Sequence, residues 1–163
     1  MSGMRVGQGI DAHRLVAGRP LRLGGVEVPF ERGLEGHSDG DVLLHAVASA
    51  LLGALGAGDL GTHFPSSDPR WHGVASRELV EVVMERVRER GFAVGNLDAT
   101  VIAQVPRLAP FRDAMVRGVA RCLGVEAERI SVKVTSSDGL GAIGRGDGIA
   151  AQAVVLLERA DPA

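Results

Sequence analysis

The sequence Gly36-His-Ser-Asp-Gly-Asp-Val-Leu-Leu-His45 joins a polar loop to the start of an apolar helix. Its ten residues include two histidines, two aspartates and a serine, and apolar side chains then recur at helical spacing to about residue 55. Ser38 is the predicted N-cap of this helix, Asp41 follows three residues later, and Gly56 is placed to end it. Burying this many polar side chains in an apolar core would be unfavourable in free energy. Their concentration at the start of an apolar helix therefore predicts a metal and phosphate site.

The chain before this segment predicts a strand and a hairpin. Residues 4–13 read as a strand that ends in Asp11-Ala-His13, and alternate residues of a strand share a face. The carboxylate and the imidazole should therefore point the same way. Two short apolar runs around a pair of glycines predict a hairpin over residues 21–28, followed by a loop over residues 29–35.

The chain after residue 56 alternates between periodic segments and turn-rich ones. Apolar spacing by three and four predicts helices over residues 76–90 and 108–123. Turn residues dominate segments 59–71 and 136–148, which are predicted to be loops. Short apolar runs predict three strands, over residues 95–103, 130–135 and 149–157.

These segments contain no internal repeat and no linker, so we predict one α+β domain that spans residues 1–163. Its expected architecture is a mixed four-stranded sheet with helices on one face and a small hairpin beside it. A sheet covered on only one face leaves an apolar face exposed. Oligomerisation is the usual cover for such a face in a chain of 163 residues.

Composition narrows the class of protein and its location. Lys and Arg total 18 against 20 Asp and Glu, so the net charge of −2 provides no basic surface for nucleic acid. The single cysteine, Cys122, excludes an internal disulfide, fits a reducing compartment and is predicted to be a buried structural thiol. No apolar run approaches the ~20 residues of a membrane span, and the N-terminus lacks signal-peptide features. We therefore expect a cytoplasmic protein without membrane or nucleic-acid partners.

Asp11, His13 and His45 are the strongest candidates for metal ligands. Two residues from a strand end and one from a helix start can converge on one ion, and such a set leaves the open fourth position of a catalytic zinc site. In the alternative interpretation, Asp11 caps a turn and both histidines satisfy local hydrogen bonds. The spacing alone leaves both interpretations open, because Asp-x-His is a short motif and His45 is distant in sequence.

Two segments are candidates for phosphate binding. His37 and Asp39 precede a helix N-terminus, whose N–H groups and dipole favour anions, although helix capping would also explain Asp39. Thr135-Ser-Ser-Asp138 leads into a glycine-rich loop with Arg145, where hydroxyls, backbone N–H groups and one cation could cradle a phosphate. This second pattern is weak by itself, because glycine-rich turns between strands are common.

The chain resembles the 2-C-methyl-D-erythritol 2,4-cyclodiphosphate synthase family of the non-mevalonate isoprenoid pathway. The matching motifs run in the family's order from residue 5 to about residue 157, and this extent favours the metal interpretation of the three candidate ligands. The motifs are Arg5-Val-Gly-Gln-Gly-Ile-Asp-Ala-His13, Gly24-Gly25, His37-Ser-Asp-Gly-Asp41 with His45, Gly58-Asp-Leu-Gly61 with Phe64-Pro65 and Asp68, Ser76-Arg-Glu-Leu79, Asn96-Leu-Asp98, Ala103-Gln104 with Pro106, and Gly144-Arg-Gly146.

The resemblance implies an activity and two metal sites. The family cyclises 4-diphosphocytidyl-2-C-methyl-D-erythritol 2-phosphate: the 2-phosphate attacks the β-phosphorus and CMP leaves, which is a phosphorus–oxygen lyase reaction. Zinc is held by the residues that match Asp11, His13 and His45. A second divalent cation, Mg²⁺ or Mn²⁺, is held by an acid that matches Asp138.

The resemblance also implies the substrate contacts and the assembly. Positions that stabilise the transition state match His37 and Ser136. The part that holds the methylerythritol unit matches Asp59, Gly61 and residues 64–68. The cytidine pocket, which the adjacent subunit of a homotrimer supplies, matches residues 103–109 and Thr135. The full set of predicted substrate contacts is Asp11, His13, His37, Ser38, Asp59, Gly61, Phe64, Pro65, Ser66, Ser67, Asp68, Ala103, Pro106, Arg107, Leu108, Ala109, Thr135, Ser136, Ser137, Asp138, Ala142 and Arg145.

Four positions depart from the family pattern. Ser136 stands where Thr is usual and keeps the hydroxyl, whereas Asp138 stands where Glu is usual and is one methylene shorter. Ala142 replaces a bulky apolar residue and Asp147 replaces a Glu, both near the family's central trimer cavity. Two other functions stay open: a hydrolase that uses the zinc site to activate water, and a trimeric isoprenoid-diphosphate binding protein without catalysis. Some homologues carry a fused cytidylyltransferase domain, for which 163 residues leave no room, so we expect a monofunctional enzyme.

Overall fold

The computed structural model describes residues 3–160 of the chain. The strands are β1 (Met4–Ala17), β2 (Leu21–Leu23), β3 (Val26–Val28), β4 (Arg32–Leu34), β5 (Phe92–Ile102), β6 (Ile130–Thr135) and β7 (Gly148–Arg159). The helices are α1 (Val42–Leu55), α2 (Leu60–His63), α3 (Ser76–Glu89), α4 (Arg112–Leu123) and α5 (Gly141–Gly144), and 3₁₀ turns lie at Pro69–Trp71, Ala109–Phe111 and Ala127–Arg129. None of the helices within residues 3–160 has the length and apolar character needed to span a membrane.

The predicted α+β architecture with a mixed sheet is confirmed. Strands pair in the order β4–β1–β7–β5–β6; the β5–β6 pair is parallel and the other pairs are antiparallel. Strands β2 and β3 form the predicted hairpin. The sheet has five strands rather than the predicted four, because β1 continues past His13 to Ala17 and pairs there with β4.

Gly33 explains why β4 was predicted to be part of a loop. A Cβ atom at this position would lie 2.3 Å from the carbonyl oxygen of Pro20 and 2.5 Å from that of Arg19, so only glycine lets the strand pass this turn. Glycine in a short segment indicates a loop in sequence, but here it marks a close backbone approach. The two predicted loops at 59–71 and 136–148 each contain a short helix, α2 and α5, which are four residues long and too short to show periodicity.

Helix α1 packs directly on β1 and β7 and forms the centre of the core. On the inward side of β1, a Cβ atom added at Gly9 would lie only 2.1 Å from the carbonyl oxygen of Ala46 in the helix. The inward side of β7 is wholly buried at Ile149, Ala151, Ala153, Val155 and Leu157. This close packing holds the first turn of α1, which carries His45, beside the part of β1 that carries Asp11 and His13.

Substituting Gly9 with alanine is expected to lower the free energy of unfolding by about 3 kcal/mol, because the new methyl group overlaps helix backbone that cannot yield like a side chain. Gly53→Ala is the matched control, since its Cβ atom would lie at an ordinary 3.4 Å from the nearest atom. Urea unfolding at one protein concentration measures both effects. Equal stability of Gly9→Ala and the parent chain would contradict the close contact.

The opposite face of the sheet exposes apolar side chains, as the sequence predicts. Val6 is 68% exposed and Ile10 66% exposed on β1, and Val154 is 40% exposed on the neighbouring strand β7. Val6 and Ile10 each lie two residues from Gln8, which pairs directly with Val154. These side chains form one patch, which we call the apolar sheet face. A patch of this kind is typical of a surface that another chain covers.

Candidate metal centre and the clefts around it

Asp11, His13 and His45 converge on one point. Asp11 Oδ2 lies 2.6 Å from His13 Nε2 and 3.0 Å from His45 Nδ1, and the two nitrogen atoms are 3.1 Å apart. The strand supplies two of these side chains from one face, and the first turns of α1 supply the third. Within residues 3–160 this is the one cluster of three His, Cys, Asp or Glu side chains with ligand atoms close enough to share an ion.

The donor set fits a zinc ion. Ligands at Zn–N and Zn–O distances of ~2.0–2.1 Å stand about 3.4 Å apart in a tetrahedral site, so the three atoms would have to separate by less than about 1 Å. Asp11 Oδ1 also accepts a hydrogen bond from the Ala12 N–H, and His13 Nδ1 donates to the carbonyl of Glu35. The local hydrogen bonds of the alternative interpretation are therefore present, but they leave one atom of each ligand pointing at the shared centre.

The charges at this centre suit a cation. Burial would raise the pKa of Asp11, but hydrogen bonds from His13 and His45, and their charges when protonated, hold it far below its usual range. Burial would lower the pKa of His13, but the carboxylate of Asp11 and the carbonyl of Glu35 raise it above its usual value. Asp11 is thus ionised at neutral pH, and a metal ion must displace a proton that His13 holds more firmly than usual.

Asp41, not the predicted Ser38, caps the N-terminus of α1. Its Oδ1 atom accepts from the N–H groups of Leu44 at 3.0 Å and Gly24 at 2.9 Å, and its Oδ2 atom accepts from Gly25 at 2.7 Å. The carboxylate is fully buried, and this burial raises its pKa although all three N–H groups lower it. A protein side chain therefore occupies the helix N-terminus at which the sequence predicted a bound anion.

The metal centre lies in a cleft of about 360 Å³. Six other predicted site residues line it, namely His37, Ser38, Asp59, Gly61, Phe64 and Ser66. Trp71 and His72 also line the cleft, and the sequence did not indicate either, because Trp71 ends a turn-rich segment without periodicity and His72 follows it. Asp68 does not line the cleft: it caps the 3₁₀ turn and pairs with Arg70 at 2.6 Å.

A second group of predicted residues forms a separate cavity of about 240 Å³. Its lining includes Ala103, Pro106, Arg107, Leu108, Ala109, Thr135 and Ser136. Beyond it, Asp138 has a left-handed backbone (φ 52°), and its Oδ1 atom accepts a hydrogen bond from the Ser136 hydroxyl at 3.1 Å. Asp138 itself is exposed. In one chain, these residues do not share a cavity with the metal centre.

A third cavity, of about 330 Å³, is lined by two more of the predicted positions. Ala142 and Arg145 line it together with His13, and Arg145 pairs with Asp147 at 3.0 Å. His13 borders both this cavity and the metal cleft. Cys122, by contrast, is partly buried on α4, and burial raises the pKa of its thiol to about 11, as expected for a structural cysteine.

Comparisons with known proteins agree with this geometry. Residues 4–158 match the model of the YgbB family. A 2-C-methyl-D-erythritol 2,4-cyclodiphosphate synthase from Trichlorobacter lovleyi is 58% identical over 154 residues, which cover 94% of this chain and 98% of that protein. One from Desulfatibacillum aliphaticivorans is 54% identical over 155 residues, which cover 95% of this chain and 100% of that protein.

Solved structures lead to the same family. A structure described as IspF from Plasmodium falciparum in complex with CDP has a TM-score of 0.86 and 32% identity, with 99% of each chain covered. Bifunctional IspDF from Campylobacter jejuni has a TM-score of 0.93 and 41% identity, covering 97% of this chain and 43% of that one. The chain therefore belongs to the YgbB family, the 2-C-methyl-D-erythritol 2,4-cyclodiphosphate synthases.

Proposed function

We propose that the chain carries out its family's reaction with a zinc ion held by Asp11, His13 and His45. The substrate is 4-diphosphocytidyl-2-C-methyl-D-erythritol 2-phosphate, and the products are 2-C-methyl-D-erythritol 2,4-cyclodiphosphate and CMP. The observation that carries the proposal is the convergence of three ligand atoms within 3.1 Å of one another in a cleft of about 360 Å³.

The reaction requires alignment of the two reacting phosphates and neutralisation of their negative charge, and it does not require a nucleophilic side chain. An oxygen of the 2-phosphate forms a bond to the β-phosphorus, the bond from that phosphorus to the bridging oxygen breaks, and CMP leaves with the electron pair. A divalent cation bound at the centre supplies Lewis-acid polarisation of phosphoryl oxygens. His37 is exposed at the cleft and donates a hydrogen bond to these phosphoryl oxygens. Ser38 lines the cleft beside it.

We propose that Asp138 holds a second divalent cation, Mg²⁺ or Mn²⁺, and that Ser136 stabilises the transition state. An exposed carboxylate is a hard oxygen ligand, which suits either cation. The hydrogen bond from the Ser136 hydroxyl to Asp138 supports a joint role, because it holds the two side chains 3.1 Å apart.

Asp138→Asn should raise the Mg²⁺ concentration needed for half-maximal activity about tenfold, which is ~1.4 kcal/mol of binding, because the amide carries no charge. Zinc content should stay unchanged. Asp113→Asn, which alters an exposed acid on α4, is the matched control. An unchanged Mg²⁺ titration of Asp138→Asn would remove this residue from the second metal site.

We propose that the chain works as a homotrimer with active sites between subunits. Two observations support this assembly: the apolar sheet face is exposed, and the predicted cytidine residues lie in a different cavity from the metal centre. The CDP complex of the Plasmodium falciparum relative supports a substrate that carries a cytidine diphosphate unit. We further propose a cytoplasmic enzyme in which residues 1–163 form one domain, without membrane or nucleic-acid partners.

Detection of the product by ³¹P NMR tests the reaction. Incubation of the substrate with the zinc-loaded protein and Mg²⁺ should yield a cyclic diphosphate and CMP in equal amounts, and a strong chelator should stop both. Release of CMP with a linear diphosphate would instead establish a hydrolase that activates water at the same centre. Absence of CMP release would favour a binding protein that has lost catalysis.

A further inference from the structure

His45 contacts two serine hydroxyls on the side of its ring that faces away from Asp11 and His13. Its Nε2 atom lies 2.9 Å from Ser76 Oγ and 3.0 Å from Ser38 Oγ. The Ser76 hydroxyl donates in turn to Oδ1 of Asp39. Ser76 is fully buried at the start of α3, so this contact joins a second helix to the metal centre.

Counting protons assigns a direction to each of these hydrogen bonds. His45 Nδ1 faces the shared centre and must keep its lone pair to bind a cation, so Nε2 carries the proton. The Ser76 proton goes to the carboxylate of Asp39, which accepts only, so the Ser76 oxygen is left to accept from His45. Ser38 accepts from the Gly40 N–H at 3.2 Å and can donate to Ser76 at 3.2 Å.

We propose that Ser76 and Asp39 act in series as positioning residues for His45. The carboxylate fixes the hydroxyl, and the hydroxyl fixes the imidazole in the tautomer whose Nδ1 faces the metal centre. A chain of this kind orients a ligand ring and raises its basicity, as a carboxylate does when it accepts directly from a metal-bound histidine. The inference rests on the proposed zinc site and adds to it two residues that touch neither metal nor substrate.

Zinc affinity of the metal-free protein, measured by competition with a chromophoric chelator at fixed pH, tests the proposal. Ser76→Ala should weaken zinc binding about tenfold. This loss of affinity lies at the lower end of the range that is usual when a partner of a metal-bound histidine is removed. The Ser38 hydroxyl still accepts a hydrogen bond from His45 in this variant, although no carboxylate fixes that hydroxyl. Ser131→Ala, which removes a hydroxyl from the exposed side of β6, should leave the affinity unchanged.

A double-mutant cycle separates this role from a merely structural one. Asp39→Ala alone should also weaken zinc binding. Because the two residues act in series, Ser76→Ala combined with Asp39→Ala should lose no more affinity than Ser76→Ala alone. Circular dichroism of each metal-free variant checks the fold, and if Ser76→Ala does not fold, the affinity of Asp39→Ala decides.

Three results are decisive. Unchanged zinc affinity in folded Ser76→Ala, or in folded Asp39→Ala, would overturn the positioning role. If the fold-losses of zinc affinity in the two single variants multiplied in the double variant, the serial arrangement would be wrong. Multiplied losses indicate independent contributions, because these add in free energy. Normal zinc binding in His45→Ala would instead refute the proposed zinc site, so failure of the inference and failure of the proposed function are distinguishable.

Discussion

Replacing His45 with alanine is expected to remove both the bound zinc and the activity. Its Nδ1 atom is one of three ligand atoms that lie 2.6–3.1 Å apart, and two protein ligands do not hold zinc in a catalytic site. We expect zinc content to fall from about one ion per chain to less than about a tenth. The value of kcat/KM should fall at least ~1000-fold, which is ~4 kcal/mol of transition-state stabilisation.

His72→Ala is the matched control for this prediction. His72 lines the same cleft and is exposed, but it is not among the three converging ligands. Its replacement should therefore leave zinc content at the parent value, as measured by metal analysis after gel filtration. A folded His45→Ala protein that kept normal zinc and normal turnover would exclude His45 as a ligand and leave the centre without its third donor.

Elements with a strong apolar period could be predicted from the sequence. Helix α1 ends at Leu55 with a left-handed Gly56, as predicted, because its apolar residues and its stop signal agree. Strand β6 has the predicted bounds, since its side chains alternate cleanly. The convergence of two candidate metal ligands could be predicted as well, because a strand that alternates at Asp11 and His13 must place both side chains on one face.

What could not be predicted depends on partners distant in the chain. Asp41 caps α1 through the nearby Leu44 N–H, but its contacts with the backbone of Gly24 and Gly25 span 17 and 16 positions, and no local pattern shows them. Ser76 has the appearance of an ordinary first residue of a helix, and its contact with His45 spans 31 positions. The sequence also does not show that the metal cleft is separate from the predicted cytidine residues, because sequence order does not fix which residues share a cavity.

Replacing Val6 with glutamate is expected to convert the proposed trimer into monomers and to abolish activity. Val6 is 68% exposed in the single chain, so the change should leave the fold of each subunit intact. Within a covered apolar sheet face, the same carboxylate would be desolvated without a partner, which is strongly unfavourable. Activity should fall at least ~100-fold, because the metal cleft would lose the neighbouring chain's groups that align the substrate.

Light scattering and turnover of the same samples distinguish the possible outcomes. Arg117→Glu adds a carboxylate on the exposed side of α4, away from the apolar sheet face, and should leave both mass and activity unchanged. A trimeric and fully active Val6→Glu protein would place the interface elsewhere on the chain. A parent protein that was monomeric and fully active would contradict the proposal that active sites lie between subunits. One chain would then have to bring the two separate cavities to a single substrate.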